Sequence, residues 1–480
     1  MSIRILIMTL LVVFLAMYAW KDWYKSLCGL IVMMAFLQHP DMPRLIMGIQ
    51  GLNPWNIVMA SILLAWVVAR YKEGLKVDMP RHVLLLVLAY SGVIIGGFLR
   101  AVLDRSHIEN YPVGSMISEE LINTVKWVIP GLLLFDGCRT RKRLIFAVCA
   151  VMTLYLGLAG QAARHLPPSC AIGGGPEVDR VRAKSCANMG YNRCDMSATL
   201  AGASWAMLGM LPMCRRRWHK IAVIGAFALT SYAQALTGGR AGYIAWGAVG
   251  LVLCVVRWRK YLPLAPIIPF VLALLLPAAA GRMLQGFGET DVSGEAIVDD
   301  YQATSGRTLI WPHVIDKIHE SPLVGYGRMA MVRTGLRDFL GQTYGAGEAF
   351  PHPHNMYLEL LLDNGIVGAL PILLFFVIVL YNAAALFRSR DNPWAAVAGG
   401  LALGLVVAQL VAGIGSQHFY PRESTVGMWA GIFLALRLSV ERAKVTSARA
   451  AMTDLVSVQS PRTAFRGALM APTGGTPVLR

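Results

Sequence analysis

Residues 365–387 read GIVGALPILLFFVIVLYNAAALF and contain no charged side chain. A helix needs about 20 mostly apolar residues to cross the hydrocarbon core of a bilayer. This stretch therefore predicts a membrane-spanning helix, and similar apolar stretches recur along the chain. The candidate spans are roughly 3–19, 26–37, 53–69, 82–103, 117–135, 144–163, 196–213, 220–236, 241–256, 261–280, 365–387, 394–415 and 424–440.

The composition of the 480-residue chain agrees with many spans. Apolar residues make up 56% of the chain and charged residues only 15%, whereas soluble proteins carry about 25% charged residues. These values exclude a disordered chain, a nucleic-acid-binding array and a typical soluble enzyme. The eight cysteines show no zinc-site spacing, so no structural zinc module is indicated. We expect an all-α polytopic membrane protein with about 12–13 transmembrane helices, because the second candidate is short.

The distribution of basic residues predicts the orientation of the chain. Its net charge is +17, and cytoplasmic loops of membrane proteins are enriched in Lys and Arg. Five basic loops, near 70–81, 139–143, 215–220, 257–260 and 388–390, are therefore assigned to the cytoplasm. The segment 164–195 should then face outward, although it holds Arg164, Arg180, Arg182, Lys184 and Arg193.

These assignments divide the chain into four parts. Residues 1–280 are predicted to form N-terminal transmembrane helices, and 281–355 one large periplasmic loop. Residues 356–440 form C-terminal transmembrane helices, and 441–480 a flexible cytoplasmic tail rich in Ser, Thr, Arg and Ala. Within the large loop the pattern predicts one helix from about Thr308 to Glu320, followed by the turn-rich stretch SPLVGYG at 321–327.

Two arginines are candidate anion-binding residues on the outer side. Arg240 follows two glycines between two spans, and Arg307 stands at the start of the predicted loop helix. A guanidinium group is a permanent cation whose planar fork fits phosphate oxygens. Helix N-termini also favour anions. The alternatives are an interfacial arginine that reaches toward the surface and an ordinary arginine on a loop helix.

A histidine-rich stretch, PHPHNMY at 351–357, returns the large loop to the membrane. A neutral histidine can accept a proton from a hydroxyl group, which makes His354 a candidate general base. His352 is interpreted as structural. Asn355 could orient the base or cap the following helix, and Tyr357 could anchor the loop at the interface. The histidine spacing matches no standard zinc motif, so no metal site is predicted.

Taken together, these stretches resemble the O-antigen ligase and O-antigen polymerase superfamily. The resemblance covers about 230–370 well and the many-span layout loosely. It is carried by Gly306-Arg307 and Trp311, the Ser321-Pro-Leu…Gly325-Tyr-Gly327 turn, His354-Asn355-Met-Tyr357-Leu358 and Asn364-Gly365-Ile-Val-Gly368. An upstream small-residue stretch that ends in an arginine at a span boundary matches Arg240.

The resemblance implies a GT-C-like glycosyltransferase in the bacterial inner membrane, with its active site facing the periplasm. Such enzymes move a glycan from undecaprenyl diphosphate to a hydroxyl. Direct attack by the acceptor would invert the anomeric centre, and arginines supply the charge that a metal otherwise would, so no metal or other cofactor is expected. The resemblance implies His354 as the catalytic base and Arg240 and Arg307 as the diphosphate ligands. Asn355, Tyr357, Arg180 and Arg182 are expected as supporting residues.

The acceptor stays open at this point. Lipid A core, as in ligases, is the first expectation, ahead of another lipid-linked saccharide, as in polymerases, or a protein hydroxyl. Membrane lipids are expected partners and nucleic acid is not. A transporter of lipid-linked sugars is the alternative of another class, but it should show repeated halves or midplane charges, and the sequence shows no internal repeat.

Two further expectations concern structure. One disulfide is expected among Cys170, Cys186 and Cys194, because an oxidising periplasm favours pairing. Glu359 and Asp363 stand near the start of a predicted helix and are expected to complement its dipole.

Overall fold

Helices dominate the computed structural model, which describes residues 3–43, 45–49, 51–74, 78–173, 175–267, 281, 289–290, 296–297, 306–344, 350–415 and 419–459. The helices of the first half are α1 Ile3–Tyr18, α2 Trp23–Leu37, α3 Pro54–Glu73, α4 Arg81–Leu103, α5 Val113–Met116, α6 Asn123–Val125, α7 Ile129–Gly137, α8 Arg141–His165, α9 Ser169–Ile172, α10 Pro176–Asn188, α11 Arg193–Leu208, α12 Arg217–Thr237 and α13 Arg240–Val256. A π-helical turn, Ile117–Ile122, joins α5 to α6, and 3₁₀ turns cover Leu211–Met213 and Arg259–Leu264.

The second half begins with two antiparallel strands of two residues each, β1 Glu289–Thr290 and β2 Ala296–Ile297. Its helices are α14 Arg307–Glu320, α15 Ala330–Arg333, α16 Leu336–Tyr344, α17 Met356–Phe387, α18 Pro393–Ala412 and α19 Val426–Gln459. The 3₁₀ turns Gly413–Gly415 and Glu423–Thr425 follow α18 and precede α19.

Five helices of the described chain are long and apolar enough to cross a membrane: α3, α4, α8, α17 and α18 with its 3₁₀ turn. Three shorter apolar helices are Ile5–Tyr18, Trp23–Leu37 and Arg240–Val256. The all-α, multi-pass membrane architecture expected from the sequence is thereby confirmed. The total of about 12–13 spans stays a prediction, and most of the candidate at 261–280 lies outside the described residues.

The spans differ in how much of their surface the protein covers. For α18, 83% of the apolar window is buried, against 28% for α4. Because lipid can solvate exposed apolar side chains, exposed Leu85 and Leu88 on α4 need no protein partner. Helix α18 therefore lies at the centre of the bundle, in contact with α11, α13 and α17.

The candidate span at 117–135 is wrong as one continuous helix. The structure divides it into the π-helical turn, α6 and α7. Pro130 stands in the first turn of α7, where its missing N–H is tolerated but could not continue a preceding helix. Helix α19 continues to Gln459 and so covers part of the stretch predicted to be a tail, whose flexibility stays a prediction. Residues 460–480 lie outside the described residues.

A break in α17 positions the segment 306–344. Gly365 has φ 58° and ψ −168° and interrupts the helix, a conformation that favours glycine. The turn at 321–327 inserts there and satisfies backbone groups on both sides of the break. The four bonds run from Ile366 N to Pro322 O (2.9 Å), Val367 N to Leu323 O (2.9 Å), Tyr326 N to Leu362 O (2.8 Å) and Gly327 N to Asp363 O (2.6 Å).

The segment 306–344 packs around a hydrophobic core that it shares with Phe350 and Leu362. Helix α14 begins one residue earlier than predicted and presents Ile310, Val314 and Ile318 on one face, at the i, i+4, i+8 spacing of an amphipathic helix. These side chains pack against Ala330, Met331, Leu336, Leu340, Phe350 and Leu362. This core joins α14 to the stretch that enters α17, and so holds Arg307 and His354 on connected elements.

Candidate active site

Arg240 is the first residue of α13, and a glycine turn places it there. Gly238 ends α12 in the left-handed conformation, with φ 66°. A Cβ atom on Gly238 would lie 2.6 Å from the guanidinium carbon of Arg182, so the close approach also requires glycine. The Tyr243 hydroxyl donates to Ala235 O at 2.9 Å across the turn. The α12–α13 junction therefore fixes where Arg240 begins its helix.

Arg307 is the first residue of α14 and follows Gly306, which is left-handed with φ 75°. Its Nη2 atom donates to the carbonyl oxygen of Gly415 at 2.9 Å. A Cβ atom on Gly415 would lie 3.4 Å from both Arg307 Nη2 and the Cβ of Ala241. The Arg307 guanidinium and the start of α13 therefore flank one glycine, and the charge of Arg307 acts on Arg240. The structure brings the two predicted arginines together.

His354 lies two residues before α17, next to the capping residue Asn355, in a left-handed conformation with φ 52°. Helix α14 contacts the stretch that contains His354, because Trp311 Nε1 donates to Pro353 O at 3.0 Å. Burial lowers the pKa of His354 below its ordinary value of 6.5, and the positive charge of Arg307 lowers it further. A neutral imidazole therefore faces a site that contains a permanent cation, the protonation state that a general base requires.

Asn355 and Tyr357 support this geometry through backbone contacts. Asn355 caps α17, since its side-chain oxygen accepts from Tyr357 N at 2.9 Å and Leu358 N at 3.2 Å. Two roles were considered for Asn355, orienting the base and capping the helix, and the structure shows the cap. The Tyr357 hydroxyl donates to Leu410 O at 2.8 Å, which attaches the start of α17 to α18.

A second histidine borders the site. The His352 and His354 ring centroids are 4.2 Å apart with an interplanar angle of 77°. Burial lowers the pKa of His352 to about 3, and the charges of His354 and Arg422 act in the same direction. Within the part of the chain that the structure describes, His352 Nδ1 is buried without a hydrogen-bond partner. Arg422 Nη1 in turn lies 3.8 Å from Asp195 Oδ2.

Arg328 forms a buried charge cluster behind the site. Its side chain is 13% exposed, and Nε donates to Glu120 Oε2 at 2.9 Å. Nη1 lies 3.7 Å from carboxylate oxygens of both Glu359 and Asp363. The guanidinium carbon lies 3.5 Å from the centroid of the Tyr420 ring, and the Tyr420 hydroxyl donates to Asp363 Oδ2 at 2.7 Å. Glu359 and Asp363 therefore belong to a tertiary ion cluster, which corrects their expected role at the helix dipole.

Sequence reasoning missed Arg328, Glu120, Arg422 and Asp195. One signal was available: Glu359 and Asp363 are four residues apart on a helix that enters the membrane, so they share a face. Carboxylates in such a place need a partner of opposite charge. The sequence does not indicate which of its 44 basic residues supplies that charge.

Arg180 and Arg182 differ in their surroundings. Arg180 is exposed on α10. Arg182 is 1% exposed, pairs with Asp179 Oδ1 at 2.9 Å and donates to Cys170 O. These contacts give Arg182 a role in holding the 164–195 segment together. Cys170, Cys186 and Cys194 are all free thiols, so the expected disulfide is not formed in this structure, and burial raises the pKa of Cys186 to about 12.

Comparisons with known proteins point to one superfamily. Residues 225–373 match the family model for O-antigen ligase. A Rickettsia conorii protein, provisionally named a polysaccharide ligase, is 24% identical over 200 residues, which are 41% of this chain and 46% of that protein. The ComP-specific O-oligosaccharyltransferase of Acinetobacter baylyi is 26% identical over 157 residues, 32% of this chain and 28% of that protein.

These matches confirm the resemblance that the motifs predicted. The matched segment contains Arg240, Arg307 and His354, together with the 321–327 turn and the break at Gly365. The chain spans less than half the length of either relative. The matches support the O-antigen ligase superfamily and a glycosyltransferase-type enzyme.

Proposed function

We propose that this membrane protein is an O-antigen ligase-type glycosyltransferase that moves a glycan from undecaprenyl diphosphate to an acceptor hydroxyl. One observation carries the proposal. The Arg307 guanidinium donates to Gly415 O, and Gly415 also borders the start of α13, where Arg240 stands. The charge of Arg307 also lowers the pKa of His354, the candidate base. Cations for a diphosphate and a base for a hydroxyl thus occur in one site.

The reaction uses these groups in one displacement. The acceptor oxygen attacks the anomeric carbon, the bond from that carbon to the diphosphate oxygen breaks, and its electron pair leaves with the diphosphate. His354 takes the hydroxyl proton as the new glycosidic bond forms. Attack from the side opposite the leaving group inverts the anomeric centre. A positioned base contributes typically about 10²–10⁴-fold to the rate.

The arginines act on the leaving group. Negative charge grows on the diphosphate as the bond breaks, and fixed guanidinium groups stabilise that charge without reorganisation. Arg240 and Arg307 are held at helix starts by backbone turns rather than on long flexible loops. Two permanent cations supply the charge that a divalent metal would otherwise provide, so the proposed site is metal-independent and needs no other cofactor.

Lipid A core is the acceptor proposed first, because the matched family is that of O-antigen ligase. A polymerase that joins lipid-linked repeats uses the same donor chemistry and is the second candidate. The relative named a ComP-specific O-oligosaccharyltransferase supports a third, transfer to a protein hydroxyl. Each acceptor presents a hydroxyl to the same base.

The site is proposed to face the periplasm from the inner membrane. Helices α13 and α17 both run away from the site and end at basic residues: Arg257 follows α13 and donates to Ser389 O, beyond α17, at 2.8 Å. Arg141 lies 4.6 Å from the ring centroid of Trp394 at the same end. Because basic ends face the cytoplasm, an impermeant thiol reagent should label Gln342→Cys in intact cells, whereas Arg216→Cys should react only after lysis.

The function is tested by incubating the purified protein with undecaprenyl-diphosphate glycan and each of three acceptors: rough lipopolysaccharide, a second lipid-linked repeat and a serine-containing peptide. The proposal expects glycan on one acceptor with release of undecaprenyl diphosphate. Donor that stays intact with all three acceptors, in protein that is folded and binds the donor, would contradict a transferase.

A further inference from the structure

We propose that the cavity between α14 and α16 binds a sugar ring of a glycan chain, away from the reacting centre. Which glycan enters it rests on the proposed function, since a donor glycan and a saccharide acceptor present the same chemistry. The cavity has a volume of about 270 Å³, which suits one sugar ring rather than a drug-sized ligand. Its walls carry the side chains of His313, Asp316, Lys317, Glu320, Thr334 and Phe339.

Two packed helices hold the walls of the cavity in fixed positions. The four side chains from α14 are related by spacings of three and four residues, so they share one face of that helix. Val314 of α14 and Leu340 of α16 are fully buried in the core that joins the two helices. The cavity is therefore a preformed cleft, as ligand sites usually are.

The cavity faces water rather than lipid. Asp316 and Glu320 are exposed, and charged side chains are costly in contact with hydrocarbon. Phe339 is 48% exposed beside them, so a lipid environment does not account for the exposure of its ring. An aromatic ring that is exposed next to charged groups offers a surface to a ligand that has both an apolar face and polar groups.

An aromatic corner supplies the apolar part of the cavity. The ring centroids of His313 and Phe339 are 5.3 Å apart, with an interplanar angle of 74°. His313 Nε2 lies 3.1 Å from the hydroxyl oxygen of Tyr344, which holds the imidazole in place. One face of a sugar ring carries mainly C–H groups, and such a face packs well against the large apolar area of aromatic rings. The corner therefore fits the apolar face of a sugar.

The polar side chains of the cavity match hydroxyl groups. The Asp316 side chain has no hydrogen-bond or ion-pair partner among the residues that the structure describes. Glu320 accepts from Lys317 Nζ at 2.6 Å and from the Tyr326 hydroxyl at 3.1 Å, in both cases through Oε2, which leaves Oε1 for a ligand. A sugar hydroxyl can donate to these carboxylates and accept from the ammonium group of Lys317.

Other classes of ligand fit the cavity less well. A phosphate or another anion would meet two carboxylates, those of Asp316 and Glu320, against one ammonium group. Among the described residues, no three His, Cys, Asp or Glu side chains are grouped so that they could hold a metal ion. A purely apolar ligand would remove the carboxylates from water without replacing their hydrogen bonds, which costs free energy. A sugar provides both kinds of contact.

The cavity lies too far from Arg307 to hold the sugar that reacts. Arg307 is the first residue of α14 and Glu320 the last. At a rise of 1.5 Å per residue, Asp316 stands about 14 Å along the axis from Arg307, and Glu320 about 20 Å. A sugar bound in the cavity is therefore several units along a glycan, and the cavity favours chains over single sugars.

The first test measures binding without turnover. Glycan of several sugars is released from undecaprenyl diphosphate by mild acid and titrated into the purified full-length protein in a calorimeter. Asp316→Asn and Phe339→Ala should each weaken binding by about 10-fold, the effect of losing one charged hydrogen bond or one aromatic contact surface. Both side chains are exposed, so both variants should keep the melting temperature of the wild type.

Asp338→Asn is the matched control. It makes the same charge change as Asp316→Asn, one residue before Phe339, but Asp338 pairs with Arg337 at 2.8 Å and does not line the cavity. Its affinity for the released glycan should equal that of the wild type. An equal loss of affinity in Asp338→Asn and Asp316→Asn would reveal a general charge effect and would contradict a site in the cavity.

The second test identifies the glycan that enters the cavity. KM is measured for a donor with a long glycan, for a donor with a single sugar and for the acceptor. Asp316→Asn and Phe339→Ala should raise by about 10-fold the KM of either the long donor or the saccharide acceptor. The single-sugar donor should keep its KM and kcat within about twofold, because Arg240, Arg307 and His354 are unchanged.

Two results would overturn the saccharide site. One is wild-type affinity for the released glycan in both Asp316→Asn and Phe339→Ala. The other is a decrease in kcat with every KM unchanged, which would connect these residues to the chemical step instead. A wild-type protein that binds the glycan through the cavity but transfers it to no acceptor is a different outcome, because the proposed function then fails while the saccharide site stands.

Discussion

Arg307 Nη2 donates a hydrogen bond of 2.9 Å to the carbonyl oxygen of Gly415. This contact joins the first residue of α14 to the turn after α18, which is the most buried of the five candidate spans among the described residues. It also brings the Arg307 guanidinium beside the start of α13, where Arg240 stands. The proposed diphosphate site thus combines three elements that are distant in sequence.

Arg240→Lys and Arg307→Lys test the need for a planar guanidinium. Each variant keeps a positive charge but loses the fork that binds two phosphate oxygens. Loss of one preorganised donor typically costs about 10²–10³-fold in kcat, and we expect a decrease of that order in transfer assays with normal membrane levels. EDTA should leave wild-type turnover intact. Turnover that EDTA abolishes and Mg²⁺ restores would refute an arginine-only diphosphate site.

The pH dependence of kcat tests whether neutral His354 acts as the base. Burial and the charge of Arg307 hold the pKa of His354 below 6.5. Since the neutral form accepts the proton, kcat should be flat at about pH 7 to 8 and fall as the pH drops. The midpoint of the decrease should lie below 6.5.

A stability measurement must accompany that profile. The pKa of His352 is lowered from 6.5 to about 3, so the unfolded chain binds more protons between these values. Stability should therefore decrease as the pH falls below 6.5. Melting temperatures at each pH separate this loss from the change in kcat. A midpoint above 6.5 in folded protein would contradict the surroundings described for His354.

Arg328→Ala should destabilise the fold. The change leaves Glu120, Glu359 and Asp363 without their shared cation, and breaking a buried ion pair costs on the order of 3–5 kcal/mol. Thermal unfolding in detergent should show a clear decrease in the melting temperature. Lys317→Ala, which removes an exposed pair with Glu320, is the control and should change little. Equal melting temperatures for both variants would show that the Arg328 cluster is not a stabilising unit.

Gly365→Ala tests the insertion of the 321–327 turn into α17. A Cβ atom there would lie 2.4 Å from the backbone of Leu323, and the positive φ adds strain of order 1–3 kcal/mol. The yield of monodisperse protein in size-exclusion chromatography should decrease sharply. Gly225→Ala, on α12 with nothing within 4 Å of the new atom, should behave as wild type. A normal yield from Gly365→Ala would mean that the break is not required.

Much of this arrangement follows from local sequence patterns. Apolar runs predicted spans, the stretch from about Thr308 to Glu320 was predicted to be the helix that became α14, and the glycine-rich turns indicated where backbone must bend. The Ser321–Gly327 and Asn364–Gly365 motifs were both visible. Their pairing across the helix break was not, because backbone hydrogen bonds between segments leave no side-chain pattern.

The four residues that sequence reasoning missed were missed for one physical reason. Arg328 and Glu120 are 208 positions apart, and Asp195 and Arg422 are farther apart still. Partner choice in such pairs depends on which helices become neighbours, and no local periodicity encodes that. Arg182 shows the converse: its charge suggested a ligand site, but burial beside Asp179 gives it protein partners.

The most direct test of the account is turnover and donor binding of His354→Ala, measured on the same preparation with undecaprenyl-diphosphate glycan and the active acceptor. The account predicts that kcat decreases by about 10²–10⁴-fold. Donor affinity should stay near wild type, because Arg240 and Arg307 hold the diphosphate. Near-normal turnover by folded His354→Ala would contradict the central claim and remove the base from the mechanism.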